Sequence, residues 1–289
     1  MRTLRLLLFL FAISASAQSR IDCNALKSRI LGDTVHYCVL LPTSYDSAPA
    51  KHYPVLYFLH GLGENEQTLF KTGGWNLIED LRQQHKVGDF LIVTPEAMAS
   101  FYVNSADGKV RYSDFFLQEF IPYIEAKYRI RRERKARAIT GISMGGYGAI
   151  RFAFAHPETF SAVSAQSAAL MTESPQELNA ALRSGTPLGK LMRSVFGNPI
   201  DVAHWKENDP FSLARKNKAA IGTLAIYFNC GQDDEYDFEL GAAALDRQLQ
   251  EEHIKHEFHL YPGNHSASYF GEHIGEVMEF HSKLFEAEK

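Results

Sequence analysis

A chain of 289 residues, 45% hydrophobic and 22% charged, is long enough to bury a substantial core and falls in the size range of a single α/β domain. Its formal net charge of -4 offers no positive surface on which phosphates would collect, so nucleic acid is not an expected partner. The 3 cysteines, an odd count, allow at most one internal disulfide and leave a free thiol.

Residues 1–17 differ from everything after them. Arg2 and Arg5 precede the apolar run Leu6 to Ile13, and Ala15-Ser16-Ala17 supplies the small residues that a signal peptidase accepts. This reads as a secretory signal peptide cleaved before Gln18. The apolar run is too short for a membrane anchor, and no lipobox precedes Cys23. Export makes a disulfide chemically permissible. Two N-terminal strands, at about 25–31 and 34–41, are predicted to turn at Leu31-Gly32-Asp33, and Cys23 and Cys38 flank that turn. They can bridge where the register brings them opposite. Cys230, after the apolar run Leu224 to Phe228, reads as a buried small hydrophobe.

Further along, Pro54 to Leu59 is a continuous apolar run, the mark of a strand covered on both faces. A helix is predicted over 76–86, a short buried strand over Phe90 to Val93, and a helix over 113–128 from the spacing of Phe116, Phe120, Ile121, Ile124 and Tyr128. The basic run Arg129 to Lys135 reads as a solvated helix end and loop. Strand 136–140, helix 144–155 and strand 161–165 follow. Alternation of strand and helix over 54–165 argues for a mostly parallel, doubly wound sheet. Residues 167–220 break the alternation with turn signals and read as an insertion between strands. Strand 223–229, helix 237–252, strand 256–261 and a last helix from about 272 complete the chain.

The chemistry centres on Gly141-Ile142-Ser143-Met144-Gly145, a serine between two glycines directly after a strand and before a helix. That is the sequence form of a nucleophile elbow. A serine hydroxyl needs a base and an acid to orient the base. Gly231-Gln232-Asp233-Asp234 follows strand 223–229, and Tyr261-Pro262-Gly263-Asn264-His265 follows strand 256–261, so both loops lie at the same sheet edge as the elbow. Asp233, Asp234 and Asp237 are all candidates for the acid, and the Gly-x-x-Asp spacing favours Asp234. The order Ser143, Asp234, His265 is the one expected of a triad on an α/β-hydrolase sheet. Backbone amides of Leu62, in His60-Gly61-Leu62-Gly63, and of Met144 are placed to hold an oxyanion. His-Gly-Leu-Gly lacks the third glycine of a dinucleotide fingerprint, and no Gly-Lys-Ser/Thr phosphate loop occurs. His253, His256 and His259 are not expected to share a metal, because a strand sends His256 and His259 to opposite faces.

The chain resembles the esterase D-like branch of the α/β-hydrolases, which holds S-formylglutathione hydrolases, feruloyl and acetylxylan esterases of the carbohydrate esterase kind, and antigen 85-type mycolyltransferases. The resemblance covers nearly the whole of 18–289. It is carried by Tyr57 to Gly63, Phe120-Ile121-Pro122-Tyr123-Ile124-Glu125-Ala126-Lys127-Tyr128, Gly141 to Ala149, and His156-Pro157-Glu158-Thr159-Phe160. It implies a single α/β-hydrolase domain with Ser143 as nucleophile, Asp234 as acid, His265 as base, and Leu62 and Met144 as oxyanion amides. Many relatives carry an aromatic residue soon after the histidine, where this chain has His265-Ser266-Ala267-Ser268-Tyr269. The substrate therefore stays open at this point. Phe196, Trp205, Phe211 and Trp75 are expected to pack, with a place in an acyl or alcohol pocket as the alternative.

The expectation is a secreted or periplasmic serine carboxylesterase with no cofactor and no metal, acting on a small or polysaccharide-linked ester through an acyl-enzyme. An acyltransferase that passes the acyl group to a sugar or lipid alcohol, and a silent binding protein on the same scaffold, are the alternatives.

Overall fold

Strands built from continuous apolar runs form the centre of an 8-stranded sheet in the order β1-β2-β4-β3-β5-β6-β7-β8. The strands are β1 (Arg20–Lys27), β2 (Thr34–Leu41), β3 (Val55–Leu59), β4 (Leu91–Pro95), β5 (Arg137–Ile142), β6 (Ala162–Gln166), β7 (Ala225–Gly231) and β8 (Glu257–Tyr261). From β4 to β8 the neighbours are parallel, while β2 runs antiparallel to both β1 and β4. The computed structural model describes residues 19–181 and 186–287, and the predicted signal peptide lies outside the described residues. Among these, no helix is long and apolar enough to cross a membrane.

Strand geometry divides the core into two layers. Val55, Tyr57 and Leu59 enter one apolar cluster with Phe116, Phe120 and Phe152, whereas Leu56 and Phe58 enter the other with Ile92, Val277 and Met278. Successive side chains on a strand point to opposite faces, so an uninterrupted apolar run is what a sheet covered on both sides requires. Helices Gly74–Gln83 and Ala267–Ala287 lie together on the second face. Between β6 and β7 the insertion folds into short helices, Pro175–Ala181, Pro187–Phe196, Val202–Asn208, Pro210–Lys216 and Lys218–Ile221.

Several boundaries differ from the sequence expectation for identifiable reasons. β1 spans Arg20–Lys27, not 25–31, because Ser28 Oγ and the Arg29 and Ile30 amides donate to the Glu119 carboxylate at 2.6, 2.9 and 3.3 Å. That latch commits residues 28–30 to the turn. The shifted register sets Cys23 opposite Cys38, and a disulfide joins them across Cα atoms 4.1 Å apart. The last helix starts at Ala267, where Ser266 Oγ accepts the Tyr269 amide as a cap. The helical stretch 112–127 widens to a π turn over Phe116–Phe120, directly before Pro122, which has no N–H to give an ordinary turn. The basic run does lie in the loop after a helix end, with Arg132 and Lys135 exposed, but two of its arginines are tied down. The Arg129 guanidinium lies 3.8 Å over the Tyr45 ring, and Arg134 donates to Pro157 O at 2.7 Å and to Thr223.

Candidate active site

Two glycines make the turn from β5 into helix Met144–Ala155 possible. A Cβ on Gly141 would stand 2.2 Å from Gly145 O, and one on Gly145 would stand 2.0 Å from Leu59 O. No side chain fits at either position, so the helix start is held against the end of β3. Between them Ser143 takes φ 56 and ψ -118, a conformation that L-residues avoid and that surrounding structure must enforce. Its amide donates to Gln166 O at 3.0 Å on neighbouring β6.

The loops after β7 and β8 bring the partners. His265 Nε2 lies 3.0 Å from Ser143 Oγ, and His265 Nδ1 lies 2.8 Å from Asp234 Oδ2. The Asp234 side chain is 0% exposed and that of His265 11%, so these contacts are shielded from water. Burial pushes the Asp234 carboxyl up, but hydrogen bonds from His265 and from the Tyr236 amide outweigh it, and the net shift is downward. An ionised Asp234 accepts from Nδ1–H. That tautomer leaves a lone pair on Nε2 facing the serine hydroxyl. Asp233 and Asp237 are exposed and do not meet the imidazole; the Asp233 amide donates to Gly263 O at 2.9 Å. Behind Asp234, burial pushes the free Cys230 thiol up to about 12, which keeps it an inert neutral group.

Leu62 sits in the turn after β3, whose shape is set by two side chains. His60 Nδ1–H donates to Gly61 O at 2.8 Å and its Nε2 accepts the Ala97 amide at 3.0 Å. Burial lowers its pKa, so the ring is neutral, as an accepting Nε2 requires. Glu64 Oε2 accepts the Gly61 amide at 2.8 Å. A Cβ on Gly61 would lie 3.6 Å from Ser143 Cβ, which places this turn beside the serine. Met144 opens the helix, where the first amides have no intrahelical partner and the dipole favours negative charge. Three rings wall the imidazole edge-on, Tyr236 at 5.0 Å, Phe238 at 5.4 Å and Phe270 at 5.2 Å between centroids. Neither these rings nor Glu64 carries a sequence pattern that announces its place.

The other candidates lie elsewhere. Phe196 and Trp205 pack on each other at 4.9 Å, and Trp205 and Phe211 line a cleft of about 450 Å³ with Met171, Arg215 and Gln248, a lining that includes neither Ser143 nor His265. Trp75 packs against the second core layer. His256 binds Asp246 and His259 binds Glu257, each at 2.9 Å, and no group that could hold a metal ion occurs among the described residues.

A family model described as "Putative esterase" matches residues 28–280. An esterase of Mycobacterium tuberculosis is 30% identical over 240 residues, which cover 78% of this chain and 51% of that protein. The chain thus spans about half the length of that relative. An acetyl esterase of Caldicellulosiruptor saccharolyticus is 27% identical over 236 residues, 81% of this chain and 85% of that protein. Among solved structures, a ferulic acid esterase superposes with a TM-score of 0.78 at 28% identity, covering 93% of this chain and 99% of that one.

Proposed function

The chain belongs to this esterase family and has the α/β-hydrolase fold, and on that footing we propose that it is an exported serine carboxylesterase working through an acyl-enzyme. The observation that carries the reading is the continuous relay from Ser143 Oγ through His265 to the buried Asp234, at 3.0 and 2.8 Å. His265 Nε2 takes the hydroxyl proton as Ser143 Oγ attacks the ester carbonyl. Asp234 holds the tautomer and stabilises the imidazolium. The Leu62 and Met144 amides hold the oxyanion. His265 then passes its proton to the leaving alcohol and activates the water that frees the acid.

Relatives named acetyl esterase and ferulic acid esterase favour acetyl or feruloyl groups as the acyl part of the substrate, and a further relative named endo-1,4-beta-xylanase/feruloyl esterase favours a polysaccharide-linked ester. Export rests on the Arg2 to Ala17 pattern. The test is turnover of p-nitrophenyl acetate, feruloyl esters and acetylated xylan by the wild type and Ser143→Ala, with product analysis in the presence of competing alcohols. We expect free acid as product and a loss of about 10³-fold or more in the variant. Wild-type turnover by Ser143→Ala would overturn the assignment.

A further inference from the structure

His265 sits in an irregular loop, with no helix or strand to fix it, yet a triad works only when its base is held within a fraction of an ångström. The loop is fastened to the acid-bearing turn by a short ladder of hydrogen bonds. The Gln232 amide donates to Tyr261 O at 2.8 Å, and the Asp233 amide donates to Gly263 O at 2.9 Å. The ladder then changes character. Its last two rungs, the ones at His265 itself, are made by a side chain. Glu235 Oε2 accepts the His265 backbone amide at 2.9 Å and Glu235 Oε1 accepts Asn264 Nδ2 at 3.0 Å.

We propose that Glu235 is a positioning residue for the base: its two carboxylate oxygens fasten the His265 loop to the Asp234 turn and so set the distance from His265 Nε2 to Ser143 Oγ. Glu235 follows Asp234 directly, so one turn supplies both the group that orients the imidazole ring and the group that anchors its backbone. The division of labour is chemical. Asp234 grips the ring through Nδ1, which fixes the tautomer but leaves the loop free to swing about that contact. Glu235 grips the main chain and removes the swing. The His265 amide donates most strongly to an ionised acceptor, and the hydrogen bond from that amide, the largest influence on Glu235, holds its carboxyl below the usual range. Glu235 is exposed and lies outside the apolar core, so the fold does not depend on it.

This inference rests on Ser143 and His265 acting together, and one of its two readouts, labelling of Ser143, does not require the ester reading to be right. Glu235→Ala, Glu235→Gln, Asn264→Ala and the double variant Glu235→Ala with Asn264→Ala are compared in the full chain. The readouts are kcat and KM for p-nitrophenyl acetate and the rate at which a fluorophosphonate labels Ser143. We expect Glu235→Ala to lower kcat and the labelling rate in parallel by about 10- to 100-fold with KM unchanged, since a small misplacement of a catalytic group costs on that order. Glu235→Gln should restore most of both rates, because an amide can accept the His265 N–H and donate to Asn264 Oδ1 once that amide turns over. Asn264→Ala alone should have a smaller effect, and in the Glu235→Ala background none.

The inference is overturned if Glu235→Ala keeps kcat and labelling within about twofold of wild type, if Glu235→Gln is as impaired as Glu235→Ala, or if the two alanine effects multiply as independent sites do. Should the wild type hydrolyse no ester while Glu235→Ala still slows labelling of Ser143, the ester reading fails and the clamp stands.

Discussion

Asp234→Asn keeps the side chain's size but leaves one acceptor oxygen for two N–H donors, with the weak Cys230 thiol donor beside them at 3.7 Å from Oδ2. In the wild type Oδ2 takes His265 Nδ1–H at 2.8 Å and Oδ1 takes the Tyr236 amide at 3.0 Å. If the amide oxygen of the variant stays with Tyr236, its NH2 faces Nδ1, the ring proton moves to Nε2, and Nε2 can no longer take the proton of Ser143. The opposite orientation restores the tautomer but sets NH2 against the Tyr236 N–H. A buried donor left without a partner costs about 1–3 kcal/mol, so the productive tautomer falls by roughly 5- to 150-fold. Loss of the charge that stabilises the imidazolium removes about 1.5–3 kcal/mol more. Together these predict a fall in kcat of about 10²- to 10⁴-fold, the upper end matching the effect known for the same change in a serine protease triad. The assay is steady-state turnover of p-nitrophenyl acetate, with Asp233→Asn as a control that stays within about twofold. An Asp234→Asn enzyme within tenfold of wild type, or a collapse in Asp233→Asn instead, would refute the reasoning.

Gly145→Ala should cost more than the roughly 1–3 kcal/mol of ordinary overpacking, because the new Cβ meets backbone atoms, Leu59 O at 2.0 Å and Leu59 C at 2.4 Å. Urea unfolding and esterase turnover should both suffer, and a variant with native values of each would show the elbow is looser than described. His281 is buried with its Nε2 2.8 Å from Ser164 Oγ, and burial pushes its pKa down to about 3. The unfolded chain binds this proton near pH 6.5 and the folded one does not, so stability is full above that pH and is lost as pH falls towards 3. Between these limits the wild type should lose about 1.4 kcal/mol per pH unit more than His281→Leu does, and parallel stability curves would dismiss the effect. Reducing Cys23–Cys38, which are 15 residues apart, should remove about 3 kcal/mol of stability. Turnover by the folded reduced protein should not change, since β2, β4 and β3 separate the hairpin strand β1 from the elbow strand β5; a lower kcat would tie the hairpin to the site.

The parts of the fold most legible in the sequence were those fixed by local rules. Helix Met144–Ala155 has the predicted bounds because the elbow glycines and the turn at His156 punctuate it. The central strands were legible as apolar runs. β1 was not placed correctly, because Glu119 lies far along the chain and its hold on residues 28–30 has no local trace. The early start of the last helix depended on a single serine cap. At the site, the sequence named Ser143, Asp234 and His265, and these stand within hydrogen-bond reach of one another. Glu64, Glu235 and the ring of Tyr236, Phe238 and Phe270 went unnoticed. Glu64 reaches Gly61 within a single loop that carries no motif, while Glu235, Tyr236, Phe238 and Phe270 meet His265 only because β7 and β8 lie side by side and bring the segments that follow them to one edge.

The central claim is that Ser143 carries the acyl group, and trapping that group tests it. Wild-type protein and Ser143→Ala are quenched in acid during turnover of p-nitrophenyl acetate and mapped by peptide mass spectrometry. The geometry predicts an acetyl group on Ser143 in the wild type, formed in a burst of nitrophenol release, with neither adduct nor burst in the variant. An acetyl group on a different residue, or a variant that turns over at the wild-type rate, would contradict it.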